Sequence, residues 1–257
     1  MYSQKEDYYI MYAFNDSKKD DEEWIKKFTE GNLVDGLCLF NVKDNDITIN
    51  YLKDRDFTEI CKLIYNAEDV LWVDNDNFAA MYNLTQNLIE QGNKKIAFIG
   101  AKEEMNVSKD RLNGYKQALF SRNIEVEASL IIEMDDFSEE NGYIGAKKIL
   151  GENRVSAFVT TDDLLGFGAQ RAIKELGYED IAIVGFNNIP IAQYKNPPLA
   201  SVDINSEKLG MYATKLLIDK LESRESKGYY VVETNLIERE SLVKKRWCKV
   251  NATDCTN

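Results

Sequence analysis

Residues 155–190, VSAFVTTDDLLGFGAQRAIKELGYEDIAIVGFNNIP, read as strand, helix, strand. AFVTT is a short apolar, β-branched run closed by Asp162 and Asp163. From there Leu164, Leu165, Phe167, Ala169, Ala172, Ile173 and Leu176 recur at helical spacing as far as Gly177, a residue type that commonly ends a helix. IAIVGF is a second apolar run, too continuous for a strand with one wet face. Continuous apolar strands alternating with amphipathic helices predict a parallel sheet covered on both faces. Open sheets of this kind bind ligands beyond the carboxyl ends of their strands. That edge is where the segment places its polar residues: Asp162 and Asp163 after the first strand, Asn187 and Asn188 after the second.

The same rhythm runs through the chain. Residues 8–14 (YYIMYAF) and 33–40 (LVDGLCLF) read as strands, the second ending at Asn41, with a helix over 20–31 between them. ITINYL, within 46–57, alternates like a strand, but the rhythm places a short helix there. Strands follow at 60–64 and 70–73, then a helix over 77–92 that Asp76 or Asn75 can cap. Next come a buried strand at 95–100, a helix capped by Ser108 and running to about Arg122, a strand at 130–134 and a helix over 139–150. Beyond Pro190 lie a turn at 196–198, a strand at 199–204, a helix over 206–222, one or two strands within 229–240, and a polar tail after Trp247. The strands and helices form two groups, and the helix from Ser206 comes late enough to cross back to the first. The expected organisation is two lobes with a cleft between them: 1–74 with 204–227, and 75–203 with 228–247, leaving 248–257 as a tail.

Composition narrows the function. The chain has 257 residues, 44% hydrophobic and 30% charged, so it can bury a sizeable core. A net charge of −12 argues against this polypeptide itself gripping a nucleic-acid backbone. The absence of histidine excludes histidine triads, histidine metal sites and histidine general bases. The four cysteines form no CxxC pair, so neither zinc nor thioredoxin chemistry has its signature, and unpatterned thiols suit the cytoplasm. No run approaches a membrane span, and the acidic start is not a signal peptide. There is no GxGxxG after a strand and no GxxxxGK[ST]. The glycines of GFG, at 166–168, fall inside a helix, where they permit close packing. Carboxylates are plentiful, but none has an evident activating neighbour. No cofactor, no metal and no catalysis are expected.

Asn41, Arg111, Phe137, Asp162 and Asn187 each follow a separate strand, or sit on the loop or helix start beyond one. In a parallel sheet all five turn toward one crevice. Together they suit a polyol: carboxylate and carboxamide pair with neighbouring hydroxyls, guanidinium offers a fork of donors, and an aromatic ring covers a sugar face. Each has a plainer reading as well. Asp162 or Asp163 can cap the following helix. Arg111 can form a surface ion pair with Asp110. Phe137 can be core, Asn187 with Asn188 a turn, and Asn41 a loop residue.

Several phrases, in order, resemble the sensor domain of the LacI/GalR family of bacterial repressors: VDNDNFAAMYNLTQNLIEQGNKKIAFIG, SKDRLNGYKQAL, AFVTTDDLLGFGAQRAIKELG, IAIVGFNNIPIAQYKNPPLASVDINSEKLG and LIERES. The likeness covers nearly all of residues 8–241, and within the family it points toward maltose-operon repressors. It implies a periplasmic-binding-protein-like pair of doubly wound parallel-sheet α/β lobes. A small molecule, here a sugar such as maltose or a related saccharide, would bind between them. It also implies a homodimer that reads operator DNA through an N-terminal helix-turn-helix and hinge helix, with effector altering lobe orientation and hence DNA affinity. The family's effector-contacting arginine falls on Arg111, its aromatic stacker on Phe137, and the polar residue heading the helix after AFVTT on Asp162. The acid of the usual GFDD falls on Asn187, and the asparagine after the VDG strand on Asn41. Asn187 thus exchanges a charged anchor for a neutral donor and acceptor. The usual proline and glycine around the fourth strand are replaced by DFTEICKLIYN, which changes the wall near Leu63. The resemblance further implies that the DNA-binding module, the first strand and most of the first helix precede this chain, leaving the N-terminal lobe incomplete. A sugar transporter's solute-binding protein is the alternative reading, and a sugar-modifying α/β enzyme a third.

Overall fold

The computed structural model describes residues 2–13, 23–31, 33–40, 47–55, 57, 60–62, 70–102 and 106–242. In chain order the elements are α1 (Tyr2–Lys5), α2 (Glu23–Thr29), β1 (Leu37–Leu39), α3 (Ile47–Lys53), β2 (Ile60–Lys62), β3 (Leu71–Asp74), α4 (Asn77–Glu90), β4 (Ile96–Ala101) and α5 (Asn106–Ser121). They continue as β5 (Ile131–Met134), α6 (Glu139–Glu152), β6 (Ala157–Thr160), α7 (Asp163–Glu175), β7 (Ala182–Phe186), β8 (Ala200–Asp203), α8 (Ser206–Leu221), β9 (Tyr229–Val231) and β10 (Asn235–Ile237). The strands form two sheets, ordered β1-β2-β3-β9 and β10-β8-β7-β6-β4-β5. Every pairing is parallel except that of β10 with β8.

Successive strand residues point to opposite faces, so a strand that is apolar throughout feeds two cores. In the second sheet Ile96, Phe98, Val159, Val184 and Phe186 pack with Leu84 and Leu88 of α4 and Leu112 and Leu119 of α5. Their neighbours Ala97, Ile99, Phe158 and Ile183 pack with Ile149 of α6 and Leu165 and Ile173 of α7. The first sheet is covered likewise: Ile25 of α2 and Leu52 of α3 lie over Ile60, while Leu209, Ala213 and Leu216 of α8 lie over Cys61 and Val73. The late helix therefore does return to the first sheet. Each fully buried large side chain contributes about 1.5–3 kcal/mol. Exposed ion pairs such as Arg122–Glu90 contribute at most about 1 kcal/mol each, so the fold rests on these layers.

Within each layer the helices meet backbone to backbone. A Cβ on Gly168 of α7 would run into the Glu139 carbonyl of α6, and one on Gly142 of α6 into the Leu165 carbonyl of α7. On the other face, a Cβ on Gly114 of α5 would meet the Phe78 carbonyl of α4. The glycines of GFG serve close packing, as the helical pattern around them predicts.

The structure departs from the sequence reading at three places. Residues 8–13 form no strand; the segment is largely exposed, with Tyr9 at 98%. A strand needs a ladder partner, and among the described residues β1 pairs only with β2. Ser108 does not cap α5, which begins at Asn106, and its side chain is buried in the first turn. Residues 228–247 do not all belong with the second sheet: β9 pairs with β3, and only β10 joins β8. The reason is aromatic cover: Trp72 stacks on Tyr229 at 4.8 Å and Tyr212 on Tyr230 at 4.2 Å, both at the first sheet. The chain consequently passes between the sheets three times, after β3, after β8 and after β9. The short helix α3 forms as the alternation of elements predicts, although ITINYL alternates like a strand, because Ile49, Tyr51 and Leu52 are all buried when it is wound.

Gly168→Ala is expected to destabilise the chain by about 2 kcal/mol, since either α6 or α7 must shift. Gly210→Ala, in α8 with open space around its Cβ position, should stabilise it by about 0.5–1 kcal/mol. Urea unfolding midpoints of the two variants measure both.

Candidate functional site

Helices α5 and α7 start at the edge where β4 and β6 end, and the β7–β8 connection begins beside them. Arg111 lies in the second turn of α5 and is 5% exposed. Its Nε and Nη2 donate to Asn77 Oδ1 at 2.9 and 2.8 Å, and its Nη1 donates to the Thr161 carbonyl at 2.5 Å. The guanidinium carbon sits 3.7 Å from the centroid of the Phe186 ring. Burial lowers its pKa to about 10, against the pull of Asp74, Asp162, Asp163 and Asp110, so it stays charged at neutral pH. A surface ion pair with Asp110 does not describe this residue.

Asp162 caps the following helix and also meets Asn187. One carboxylate oxygen accepts the Leu164 N–H at 2.7 Å and caps α7, while the other accepts Asn187 Nδ2 at 2.7 Å. Burial raises its pKa, opposed by the Leu164 N–H, Arg111 and Asn187. Asn187 and Asn188 do form the turn their sequence predicts, with φ of 98° and 51°. Asp163 pins that turn: its two oxygens accept the Ser201 hydroxyl at 2.6 Å and the Ile189 N–H at 2.7 Å. Arg239 holds the turn from the far side, donating to Asn188 Oδ1 at 2.7 Å and to the Leu199 carbonyl at 2.6 Å.

Arg111, Asp162 and Asn187 are thus brought together across the ends of three strands. Phe137 lies at the same edge, on the β5–α6 turn, but it is half-buried and packs into the α6–α7 layer, outside this hydrogen-bonded group. Asn41 and Leu63 lie outside the described residues. Phe186, Asn77, Asp74, Asp163 and Arg239 belong to the arrangement and were not singled out as site residues from the sequence. Phe186 reads as strand core and Asn77 as the first residue of a capped helix. The polar cluster DNDN directly after a strand was the available signal.

Three donors of Arg111 are used internally, which leaves one N–H on each terminal nitrogen. Nearby, Thr161 Oγ1 and Ser108 Oγ are buried without a hydrogen-bond partner. The group therefore offers donors, acceptors and hydroxyls to a polar ligand, with the Arg111 charge offset by carboxylates. Among the described residues no cluster of histidine, cysteine, aspartate or glutamate could hold a metal ion, and no helix is long and apolar enough to cross a membrane.

Burial raises Asp74 and Asp163 from 3.8 to about 6. A carboxyl whose pKa is higher in the folded chain binds its proton more tightly there. The penalty is complete above pH 6 and is relieved as the pH falls toward 4. The melting temperature is expected to rise between pH 7.5 and pH 5 at constant ionic strength; a fall over that range would contradict the assignment.

Comparison with known proteins places this geometry. Residues 85–242 match the model of the periplasmic binding protein-like domain. The HTH-type transcriptional regulator MalR of Streptococcus pneumoniae serotype 4 is 31% identical over 82% of this chain, which spans 63% of that relative. A LacI transcriptional regulator from Bacillus cereus subsp. cytotoxis superposes with a TM-score of 0.86 at 30% identity, covering 95% of this chain and 88% of that one. The transcriptional regulator CelR in complex with cellobiose superposes with a TM-score of 0.79 at 28% identity, covering 85% and 69%. The model match covers more than half of the chain, and the chain belongs to the periplasmic binding protein-like domain family, among its LacI-family transcriptional regulators.

Proposed function

We propose that the chain is the effector-binding and dimerisation domain of a sugar-responsive transcriptional repressor of the cytoplasm, and not an enzyme. A saccharide such as maltose or a related sugar is held beyond the strand ends by Arg111, Asp162 and Asn187, with Phe137 at the rim and Asn41 as a further contact. Operator DNA is reached by the homodimer through an N-terminal helix-turn-helix module of the kind the resemblance implies. Effector favours one arrangement of the two sheets and their helices, and that preference is passed to the DNA-binding module. The relatives support a regulator over a transporter's solute-binding protein, since those reported above are transcriptional regulators.

The observation that carries the reading is the Arg111–Asp162–Asn187 group, with its unused donors and charge balance. One guanidinium faces Asp162 and the buried Asp74, so a ligand bearing its own negative charge gains little. A neutral polyol uses the donors and acceptors alike. Among the solved relatives, CelR is bound to cellobiose, a neutral disaccharide.

A thermal-shift series with maltose, cellobiose, ribose and glucose 6-phosphate tests this. A neutral saccharide should raise the melting temperature by several degrees at a concentration about 100 times its Kd. A response confined to the phosphorylated sugar, or none at all, would contradict the proposal. Asn187→Asp sets a second carboxylate against Asp162. It should weaken saccharide binding about tenfold at pH 7.5 and recover part of the loss at pH 5.5, where the pair shares a proton. Calorimetric titration at both pH values measures it.

A further inference from the structure

The three passages between the sheets meet at one side chain. Asn75 is 1% exposed, and its carboxamide donates to the Ile204 carbonyl at 3.0 Å, after β8, and to the Val232 carbonyl at 2.8 Å, after β9. The Val232 N–H returns to the Asp74 carbonyl at 2.9 Å, at the end of β3. The Asp74 carboxylate accepts the Asn75 backbone N–H at 2.7 Å and Asn77 Nδ2 at 3.3 Å. Asn77 Oδ1, in turn, accepts both bonds from the Nε and Nη2 edge of Arg111. A continuous run of hydrogen bonds, part-buried at Ile204 and buried at Asn75–Val232, Asp74, Asn77 and Arg111, thus joins the arginine of the site to every point where the chain crosses between the sheets.

We propose that Asn77 is the positioning residue for Arg111, and that the Asp74–Asn77 pair ties the arginine's position to the three passages. The inference rests on the reading of Arg111 as a ligand-binding group. A carboxamide has one accepting end and one donating end. Here the accepting end faces a cation and the donating end a carboxylate, so turning the amide over would set like against like on both sides. Its orientation is therefore fixed by its two partners. Leaving a buried charged group short of a partner is costly. A guanidinium drawn toward a ligand must carry Asn77 with it or leave Asn77 unpaired. If Asn77 moves, Asp74 loses or follows a partner, and Asp74 is bonded directly to the residue that clasps the passages. Small movements at the site are thereby converted into a choice at the crossings, which is how packed proteins amplify local shifts.

The test compares Asn77→Leu and Asn77→Asp with the unaltered chain, without ligand. Hydrogen exchange is read at residues 202–206 and 230–235, together with the Arg111 Nε–H signal by NMR. Asn77→Leu should speed exchange at both passages at least about tenfold and release the Arg111 Nε–H. Asn77→Asp keeps an acceptor for Arg111 but sets a carboxylate against Asp74. The arginine signal should persist while the passages still loosen. Ile149→Val, in the α6–α7 layer, should leave exchange at the passages unchanged. Passages that exchange normally in both Asn77 variants, or that loosen equally in Ile149→Val, would overturn the proposal. Titration with maltose and cellobiose completes it: Asn77→Leu should weaken by about tenfold the binding of whichever sugar the unaltered chain takes. Were neither sugar bound, the reading of the site would fall, while the exchange result would still decide the role of Asn77.

Discussion

A guanidinium buried among apolar side chains is tolerated only when its charge and its donors are met. Arg111 is the group in this protein to which that constraint applies most severely. Its cover comes from three separate parts of the chain, Asn77 at the start of α4, Thr161 after β6 and Phe186 at the end of β7, together with the carboxylates around it. Asn77, Thr161 and Phe186 are all distant from it in sequence, and of the carboxylates only Asp110 is its neighbour. The second sheet has to be assembled, with β6 and β7 in register, before the arginine has anywhere to go. Fold and site are in this sense one arrangement, since the packing that aligns the strand ends also supplies the arginine's partners.

The site itself is a compromise between structure and recognition. Asp162 gives one oxygen to the helix it caps and the other to Asn187, and both oxygens retain lone pairs for a ligand. Asp163 is given over wholly to structure, fastening the turn that presents Asn187. Two adjacent aspartates thus divide the work according to which way the helix start turns them. The neutral Asn187, where the family's usual motif has an acid, fits the same economy. A carboxylate there would face Asp162 directly, whereas the carboxamide donates to it.

Much of this was legible in the sequence, and for physical reasons. Apolar runs covered on both faces, helical spacing with caps, and glycines at close crossings are local patterns, and the layers of the second sheet follow from them. That Arg111, Asp162 and Asn187 come together follows from the convergence of strand ends in a parallel sheet. Two kinds of information were not local. Residues 8–13 look like a strand, but a strand exists only where it has a neighbour, and sequence does not state its neighbours. Residues 229–231 look like any strand, and partners distant in sequence hold them at the first sheet: the ladder with β3 and the stacking of Tyr229 on Trp72 and Tyr230 on Tyr212. Asn77 was overlooked for a related reason. Its position reads as a helix start, and its work is done for a residue on another helix, 34 positions away in the chain.

The account turns on what a ligand touches. A crystal structure of the chain grown with maltose or with cellobiose measures this most directly. The account predicts sugar hydroxyls within hydrogen-bonding distance of an Arg111 terminal nitrogen and of the Asp162 carboxylate, on the edge where β4, β6 and β7 end. A sugar seated elsewhere, with Arg111 still bonded only to Asn77 and Thr161, would contradict it.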